Sequence, residues 1–331
     1  MRVIIAAGGT GGHIYPALSL ANELTNQGYI VKFISSNNQV AHEILDETNL
    51  DVTFMDLKGF SRQKSFKAII DNFKTLYKLS KVMVKTNKII KEFKPDCCIG
   101  FGSYITYPVI KLAKKKGIKT IIHEQNSYPG LVNRKLANQV NYVAYTYKAS
   151  LEYFNQVDKD KLIYTSNPRI SGLTPKPNGE GILILGGSLG ADFLNNLAFE
   201  LADLTDEKIT LVSGSRNKLT SNKENLEIKE FISNMLESIA NARVVITRAG
   251  ATTLLECCAL GKNTIAIPSP NVVCDHQTKN AEELSNKNLI RYISENDASA
   301  KNVIELINKD VNLDESNNIN ANEKIIKLIN N

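Results

Sequence analysis

Short apolar runs alternate with longer amphipathic stretches along the whole chain. Uninterrupted apolar runs separated by helix-length segments are typical of parallel strands that are buried on both faces. The pattern therefore predicts an α/β fold built from doubly wound parallel sheets. The nine predicted strands cover residues 2–7, 30–35, 52–57, 96–100, 119–123, 181–185, 208–212, 243–247 and 263–267.

A glycine-rich loop follows the first predicted strand at residues 8–12, and a second one follows the strand at 181–185. This repeat of strand, loop and helix predicts two Rossmann-like domains, residues 1–167 and 168–318. The C-terminal residues 319–331 are predicted to form a helix that returns to the first domain.

Each glycine loop precedes a predicted helix, so its backbone N–H groups can bind an anion. A tight turn between strand and helix is the other interpretation, because glycine serves it equally well. Ile14 stands where a dinucleotide-binding fingerprint needs its third glycine, and neither loop is followed by Gly-Lys-Ser/Thr. NAD-dependent enzymes and P-loop NTPases are therefore disfavoured.

Composition narrows the class of protein. The 331 residues suit two domains, and 43% hydrophobic with 22% charged residues is typical of a globular protein. The five cysteines include two adjacent pairs and no C-x-x-C, which excludes a disulfide framework and a zinc ribbon. We expect buried cysteines, no metal and no cofactor, and we interpret the D-x-D at Asp158 and Asp160 as a surface turn. Neither a signal peptide nor a membrane-spanning segment is expected.

Positive charge is concentrated in one segment. Residues 58–94 hold eleven Lys or Arg and two acids, a balance of +9, whereas the whole chain carries +6 and the remainder therefore −3. In this segment a stripe of lysines recurs at helical spacing beside an apolar seam. The stripe is Lys67, Lys74, Lys78, Lys81, Lys85 and Lys88, and the seam is Phe66, Ile70, Phe73, Tyr77 and Val84.

Two interpretations of this predicted helix remain open. The seam can face the core beneath a solvated lysine face, or seam and lysines together can bind an anionic membrane surface. At about 1 kcal/mol for each lysine near such a surface, the stripe is sufficient for reversible attachment. Nucleic acid is disfavoured as a partner, because zinc-finger and RRM signatures are absent.

Six segments carry a resemblance to a known family. In order they are GGTGGHIYPALSLA from Gly8, HEQNSYPGLVNRKLA from His123, NPR from Asn167, GGSLGA from Gly186, RAGATTLLE from Arg248 and DHQTKNA from Asp275. Together they resemble the bacterial MurG family, the N-acetylglucosaminyltransferases of peptidoglycan synthesis. The resemblance implies two Rossmann-like domains that face each other across a cleft, the GT-B type of fold.

The resemblance also implies an activity. Members of this family transfer N-acetylglucosamine with inversion from UDP-N-acetylglucosamine to the muramyl 4-hydroxyl of undecaprenyl-pyrophosphoryl-N-acetylmuramyl-pentapeptide. The implied partners are this sugar nucleotide, the lipid-linked acceptor and an anionic membrane surface. We expect a peripheral protein at the cytoplasmic face of the bacterial cell membrane.

His13 is the candidate catalytic residue, because an inverting transfer needs a base to take the proton of the acceptor hydroxyl. The alternative is a helix-terminal imidazole that caps a backbone group. His123 lies at the end of a predicted strand, and two interpretations remain open for it: a structural hydrogen bond or a ligand contact. Glu256 follows the strand at 243–247, where its carboxylate can accept hydrogen bonds from both ribose hydroxyls.

The remaining donor-site residues are carried over from the family motifs. Arg169 and Ser188 are assigned to the UDP pyrophosphate, Gln277 and Asn126 to sugar hydroxyls, and Ile232 to the uracil. Residues of the first glycine loop and of RAGATTLLE complete the predicted site: Thr10, Gly11, Gly12, Ala251 and Thr252.

Three other functions remain as alternatives: a glycolipid synthase with another acceptor, a sugar-nucleotide epimerase, and a non-catalytic scaffold that binds UDP-sugars. The presence of His13, Glu256 and Gln277 argues against the scaffold. The chain departs from the family by a shorter segment between Gly214 and Phe231, and by Ser103 where relatives commonly carry glycine.

Overall fold

The computed structural model describes residues 1–59, 65–187, 190–214, 218–308 and 320–331, with the backbone alone for residues 66–69 and 273. The chain divides into two units. The first comprises Met1–Ser171 and Ile319–Asn331, and the second comprises Gly172–Asn318.

The first unit contains a sheet of seven parallel strands in the order β3-β2-β1-β4-β5-β6-β7. The strands are β1 (Arg2–Ala6), β2 (Ile30–Ser36), β3 (Asp51–Met55), β4 (Cys97–Gly100), β5 (Lys119–Glu124), β6 (Tyr142–Tyr145) and β7 (Leu162–Tyr164). The helices are α1 (Gly11–Asn26), α2 (Gln39–Leu45), α3 (Phe66–Phe93), α4 (Ser103–Lys115), α5 (Leu131–Leu136) and, from the C-terminal segment, α11 (Ala321–Asn330).

The continuous apolar run of β1 reflects burial on both faces of this sheet. Val3 and Ile5 belong to a core shared with α1 and α11, whereas Ile4 and Ala6 belong to a core shared with α3 and α4. Because successive side chains of a strand point to opposite faces, the buried part of such a strand is apolar at consecutive positions, here Val3 to Ala6.

The strand order reverses between β1 and β4. β1 pairs in parallel register with β2 on one side and with β4 on the other. Loops at the carboxyl ends of strands diverge at such a switch point and leave room for a ligand. The loops after β1 and β4 both lie at this switch point, beside the carboxyl end of β5. This is where the sequence places its first glycine loop.

The second unit repeats the plan with six parallel strands in the order β10-β9-β8-β11-β12-β13, so its reversal lies between β8 and β11. The strands are β8 (Ile182–Leu185), β9 (Ile209–Val212), β10 (Leu226–Lys229), β11 (Val244–Thr247), β12 (Asn263–Ala266) and β13 (Arg291–Tyr292). The helices are α6 (Asp192–Leu201), α7 (Met235–Asn241), α8 (Ala251–Ala259), α9 (His276–Ser285) and α10 (Ala300–Asn308).

The predicted fold class, two doubly wound parallel sheets, is confirmed. The sequence analysis did not predict β6, β7, β10 and β13, which lie at or next to sheet edges and are only two to four residues long. The expectation of buried cysteines is wrong for Cys274, which is exposed, whereas Cys97, Cys98, Cys257 and Cys258 are buried.

The long helix α3 has exposed apolar side chains. Its inner side packs through Val82 and Ile90 onto the sheet. The predicted seam does not face the core, because the exposed fractions are 42% for Ile70, 69% for Phe73, 62% for Tyr77 and 71% for Val84; the side chain of Phe66 lies outside the described part. No helix within the described residues is both long and apolar enough to cross a membrane.

Candidate active site at the strand ends

The glycine loop after β1 is anchored to the end of β2. The N–H of Gly9 donates to Oγ of Ser36 at 2.8 Å, and Nδ2 of Asn38 donates to the carbonyl of Gly9 at 2.9 Å. Gly9 has φ +84°, a left-handed conformation that favours glycine. Thr10 and Gly12 remain exposed at the start of α1. The loop therefore presents its backbone to solvent from a fixed position.

His13 lies in the first turn of α1 and is half-buried. Its Nδ1 lies 3.0 Å from Oε1 of Gln125, which follows β5. Gly102 after β4 makes room for the ring, because a Cβ at that position would lie 3.1 Å from Cε1 of His13. Elements after three different strands thus hold this imidazole.

His123 at the end of β5 is fully buried. Its Nε2 lies 2.9 Å from the carbonyl oxygen of Ser166, its Nδ1 lies 3.0 Å from Nε2 of Gln125, and its ring packs against Phe101. Burial, with a smaller contribution from nearby His13, lowers the pKa of His123 to about 4. The geometry supports the structural interpretation of His123, which the sequence left open.

Glu124 organises the loop that follows β5. This buried carboxylate accepts hydrogen bonds from the N–H groups of Asn126 and Gly130, each at 3.0 Å, and from Nδ2 of Asn133 at 2.8 Å. A carboxylate that accepts several hydrogen bonds fixes the backbone around it. Glu124 therefore sets the position of Asn126, whose Nδ2 lies 3.4 Å from the same carboxylate.

Arg169 lies in the first unit, although the sequence assigned it to the second domain. It belongs to the 3-10 helix Pro168–Ile170, and its guanidinium stacks over the ring of Tyr15 of α1 at 4.7 Å. This contact turns the guanidinium towards the helix that also carries His13.

In the second unit, α8 begins directly after β11 and carries three predicted residues. Ala251 and Glu256 are each 6% exposed, and Thr252 is half-buried. The preceding turn is fixed by Arg248, which donates to the carbonyls of Ile267 and Pro268 at 3.2 Å and pairs with Glu295. Ser188 of the second glycine loop lies outside the described residues.

Gln277 in the first turn of α9 accepts a hydrogen bond at Oε1 from the N–H of Ser269, at 2.8 Å. Asn280 of the same helix donates to the carbonyl of Ala249 at 3.2 Å, which ties α9 to the turn before α8. Ile232 lies between β10 and α7 and packs partly buried against the core of this unit. The loops after β11 and β12 thus lead into the two helices that carry Glu256 and Gln277, and Asn280 links these helices.

Sequence reasoning missed four residues of the first-unit site: Gly102, Glu124, Gln125 and Asn133. A signal was present, since the apolar strand β5 ends in the polar run His-Glu-Gln-Asn, and polar residues at a carboxyl strand end of a parallel sheet point to a site. Within the part of the chain that the structure describes, no group of three His, Cys, Asp or Glu side chains could hold a metal ion.

Comparisons with known proteins agree across both units. The N-terminal domain of glycosyltransferase family 28 matches residues 3–145, and the C-terminal domain of that family matches residues 181–330. A relative from Bacillus thuringiensis subsp. konkukian (strain 97-27) is 37% identical over 325 residues, which cover 91% of this chain and 87% of the relative. That relative is named UDP-N-acetylglucosamine--N-acetylmuramyl-(pentapeptide) pyrophosphoryl-undecaprenol N-acetylglucosamine transferase 1.

Two solved structures extend the comparison of folds. The crystal structure of Acinetobacter baumannii MurG matches with a TM-score of 0.75 and 24% identity over 99% of both chains. A UDP-GlcNAc 2-epimerase from Methanocaldococcus jannaschii matches with a TM-score of 0.70 and 16% identity over 100% of this chain and 99% of the epimerase. At these identities the two matches speak for the GT-B type of fold alone.

Proposed function

We propose, from the premise that this chain belongs to the MurG family of glycosyltransferases, that it transfers N-acetylglucosamine from UDP-N-acetylglucosamine to the muramyl 4-hydroxyl of the undecaprenyl-pyrophosphoryl-linked muramyl-pentapeptide. Peptidoglycan synthesis is then the process it serves. The observation that carries the chemical part of the proposal is His13, an imidazole held at the switch point of the first sheet beside an exposed glycine loop.

In this reaction His13 acts as the general base. The imidazole takes the proton of the acceptor hydroxyl while the hydroxyl oxygen forms a bond to the anomeric carbon of the sugar. The bond between that carbon and the UDP oxygen breaks, and its electron pair leaves with UDP. Attack from the face opposite the leaving group inverts the anomeric centre, and no covalent sugar–enzyme intermediate is needed.

The donor assignments divide between the units. Glu256 binds the two ribose hydroxyls, Gln277 binds sugar hydroxyls, and Ile232 lies at the uracil. Ala251, Thr252 and Ser188 are the other donor-binding residues of the second unit. In the first unit the donor contacts are Thr10, Gly11, Gly12, Asn126 and Arg169, of which Arg169 meets the charge that develops as UDP leaves.

The α3 patch is the membrane contact of this proposal, and we define it as Ile70, Phe73, Lys74, Tyr77, Lys78, Lys81, Val84 and Lys85, with Phe66 as its predicted continuation. Exposed apolar side chains beside lysines suit an interface with anionic lipid. An acceptor anchored in a bilayer also requires an enzyme that works at its surface. The chain would then be peripheral, at the cytoplasmic face of the cell membrane.

An assay of UDP release tests the reaction. Purified protein is incubated with UDP-N-acetylglucosamine, with and without a short-chain analogue of the lipid-linked acceptor. We expect UDP release that depends on the acceptor and a disaccharide product. Release of UDP-N-acetylmannosamine without acceptor would favour the epimerase, and transfer to a diacylglycerol but not to the muramyl acceptor would favour the glycolipid synthase.

The ribose assignment has its own test in Glu256→Gln. Hydrogen bonds to a charged group contribute roughly 1.5–3 kcal/mol each, so replacing the carboxylate should raise the donor KM at least tenfold. Glu282→Gln, in α9 of the same unit, is the matched control. An unchanged donor KM in Glu256→Gln would remove Glu256 from the nucleoside site.

A further inference from the structure

Four groups of the first unit form an unbroken line of hydrogen bonds that ends on His13. The carbonyl oxygen of Ser166 meets Nε2 of His123 at 2.9 Å, Nδ1 of His123 meets Nε2 of Gln125 at 3.0 Å, and Oε1 of Gln125 meets Nδ1 of His13 at 3.0 Å. His123 and Gln125 are buried, so no bulk water competes for these atoms.

The direction of each hydrogen bond follows from the first one. A backbone carbonyl only accepts, so Nε2 of His123 must carry the proton and donate it to Ser166. His123 is neutral above about pH 4, because burial lowers its pKa to about 4. Its Nδ1 is then an acceptor, and the group of Gln125 that faces it must be the NH₂.

A second contact fixes the same orientation of the Gln125 amide. Its Nε2 also lies 3.2 Å from the carbonyl oxygen of His123. This oxygen can only accept a hydrogen bond, so the group that faces it must be the NH₂ donor. Oε1 of Gln125 therefore faces His13, and Nδ1 of His13 must carry a proton to make this bond. Among the described residues, no other group hydrogen-bonds the ring of His13.

We propose that His123 and Gln125 are positioning residues that hold the proton of neutral His13 on Nδ1 and leave the lone pair on Nε2 for the acceptor hydroxyl. The inference rests on the proposed function, since it assigns the nitrogen through which His13 acts as a base. It also differs from a carboxylate-oriented histidine, because a neutral amide orients the ring here without adding charge.

The arrangement has a consequence for the reaction. When Nε2 takes the hydroxyl proton, His13 becomes an imidazolium whose Nδ1–H still donates to Oε1 of Gln125. The ring therefore changes charge without changing its hydrogen bond, and it does not need to rotate between binding and reaction. A tautomer with the proton on Nε2 could not accept the hydroxyl proton at Nε2, because its lone pair would lie on Nδ1.

The direct test is the imidazole nitrogen spectrum of the full chain labelled with ¹⁵N-histidine. The chain has only four histidines, which makes assignment by single substitutions practical. At pH 8 we expect His13 as the Nδ1–H tautomer and His123 as the Nε2–H tautomer. A wild-type His13 that carries its proton on Nε2 would overturn the proposal.

Two variants at one position separate orientation from packing. Gln125→Leu removes both amide groups, so His13 should lose its single tautomer and kcat should fall about 10- to 100-fold with an unchanged donor KM. Gln125→Glu retains an oxygen for Nδ1–H of His13 but loses the donor that faces Nδ1 and the carbonyl of His123. It should therefore keep the His13 tautomer and recover kcat only in part. Gln27→Leu, at the exposed end of α1, is the matched control.

Failure of the inference differs from failure of the proposed function. If Gln125→Leu folds and His13 keeps the Nδ1–H tautomer, Gln125 does not orient the ring and the inference is wrong. If the spectra are as expected but His13→Ala retains its kcat, the base assignment fails instead. Should Gln125→Leu not fold, the wild-type and Gln125→Glu spectra still decide the direction of the bonds.

Discussion

Two surfaces of the first unit hold their side chains in opposite ways. In the strand-end site, formed by His13, Gly102, His123 and Gln125, polar groups are matched atom to atom through hydrogen bonds of 2.9–3.0 Å. In the α3 patch the side chains are largely exposed, and their charges are only partly matched. Lys78 pairs with Asp56 at 2.6 Å and Lys74 lies 3.8 Å from Asp71.

The difference determines how each surface should respond to change. Removing one group from a buried hydrogen-bonded line leaves another group unpaired, so single substitutions are costly and salt has little influence. Exposed charges contribute individually small, roughly additive and screened energies. A single residue should therefore decide the behaviour of the strand-end site, whereas only several together should decide that of the α3 patch.

The largest effect is expected at the strand-end site. His13→Ala should lower kcat by about 10²–10⁴-fold, because the reaction loses its general base. The affinity for UDP, measured by calorimetry, and binding to anionic vesicles should both stay unchanged. His42→Ala is the matched control, since His42 lies in α2 and stacks on Phe54 at 4.0 Å. A kcat within a few-fold of wild type would make His13 a helix-terminal imidazole only.

The α3 patch should need several substitutions for a comparable effect. Changing Lys74, Lys78, Lys81 and Lys85 together to Gln should weaken binding to anionic vesicles about 10²–10³-fold at low salt, at about 1 kcal/mol per lysine less what the ion pairs already neutralise. Binding to neutral vesicles and turnover of a water-soluble acceptor should be unchanged. Co-sedimentation with vesicles of defined composition measures the effect.

A second set of four lysines controls for net charge. Lys111, Lys114, Lys115 and Lys116 are all exposed, lie in or directly after α4, and can be changed to Gln in the same way. This control should bind anionic vesicles almost as well as wild type, and 1 M salt should abolish the difference, because the Debye length falls to about 3 Å. Equal losses in both variants would show that net charge and not the α3 patch governs attachment.

The contrast between the surfaces also explains what the sequence could predict. The strand β1 was predictable because burial on both faces requires an uninterrupted apolar run, and α3 because its lysines recur at helical spacing. Short edge strands such as β7 and β13 were not, since three and two residues are too few to show such a pattern. The role of His123 depends on Ser166, 43 residues away, and no local spacing reveals that partner.

A buried neutral histidine should make the first unit sensitive to acid. The pKa of His123 is about 4 in the folded chain against about 6.5 when unfolded, so the unfolded chain binds the extra proton between these values. As far as His123 determines it, the free energy of unfolding should therefore be at its maximum above about pH 6.5. It should fall by about 3 kcal/mol as the pH drops to 4. Urea unfolding followed by circular dichroism from pH 4 to 7 measures this slope.

His123→Phe tests the source of that slope. The phenyl ring fits beside Phe101 but does not titrate, so the variant should be less stable at pH 7 and lose less stability on acidification. The comparison with wild type isolates the contribution of His123 from that of the carboxylates. An identical slope in both proteins would assign the acid sensitivity to other groups.

The smallest effect concerns the backbone next to the strand-end site. Ser103, the first residue of α4, has φ +68°, a left-handed conformation that costs a residue with a side chain about 1–2 kcal/mol. Glycine relieves this strain but loses about 0.5–1 kcal/mol through the greater entropy of the unfolded chain, so Ser103→Gly should stabilise by about 0.5–1 kcal/mol.

Lys94→Gly, with φ +49° directly after α3, is the matched substitution near the other surface. Both variants should raise the midpoint of urea unfolding by similar amounts and leave kcat within two- to threefold of wild type, because neither residue belongs to the line of hydrogen bonds to His13. A fall in kcat confined to Ser103→Gly would show that strain at α4 is part of the catalytic geometry.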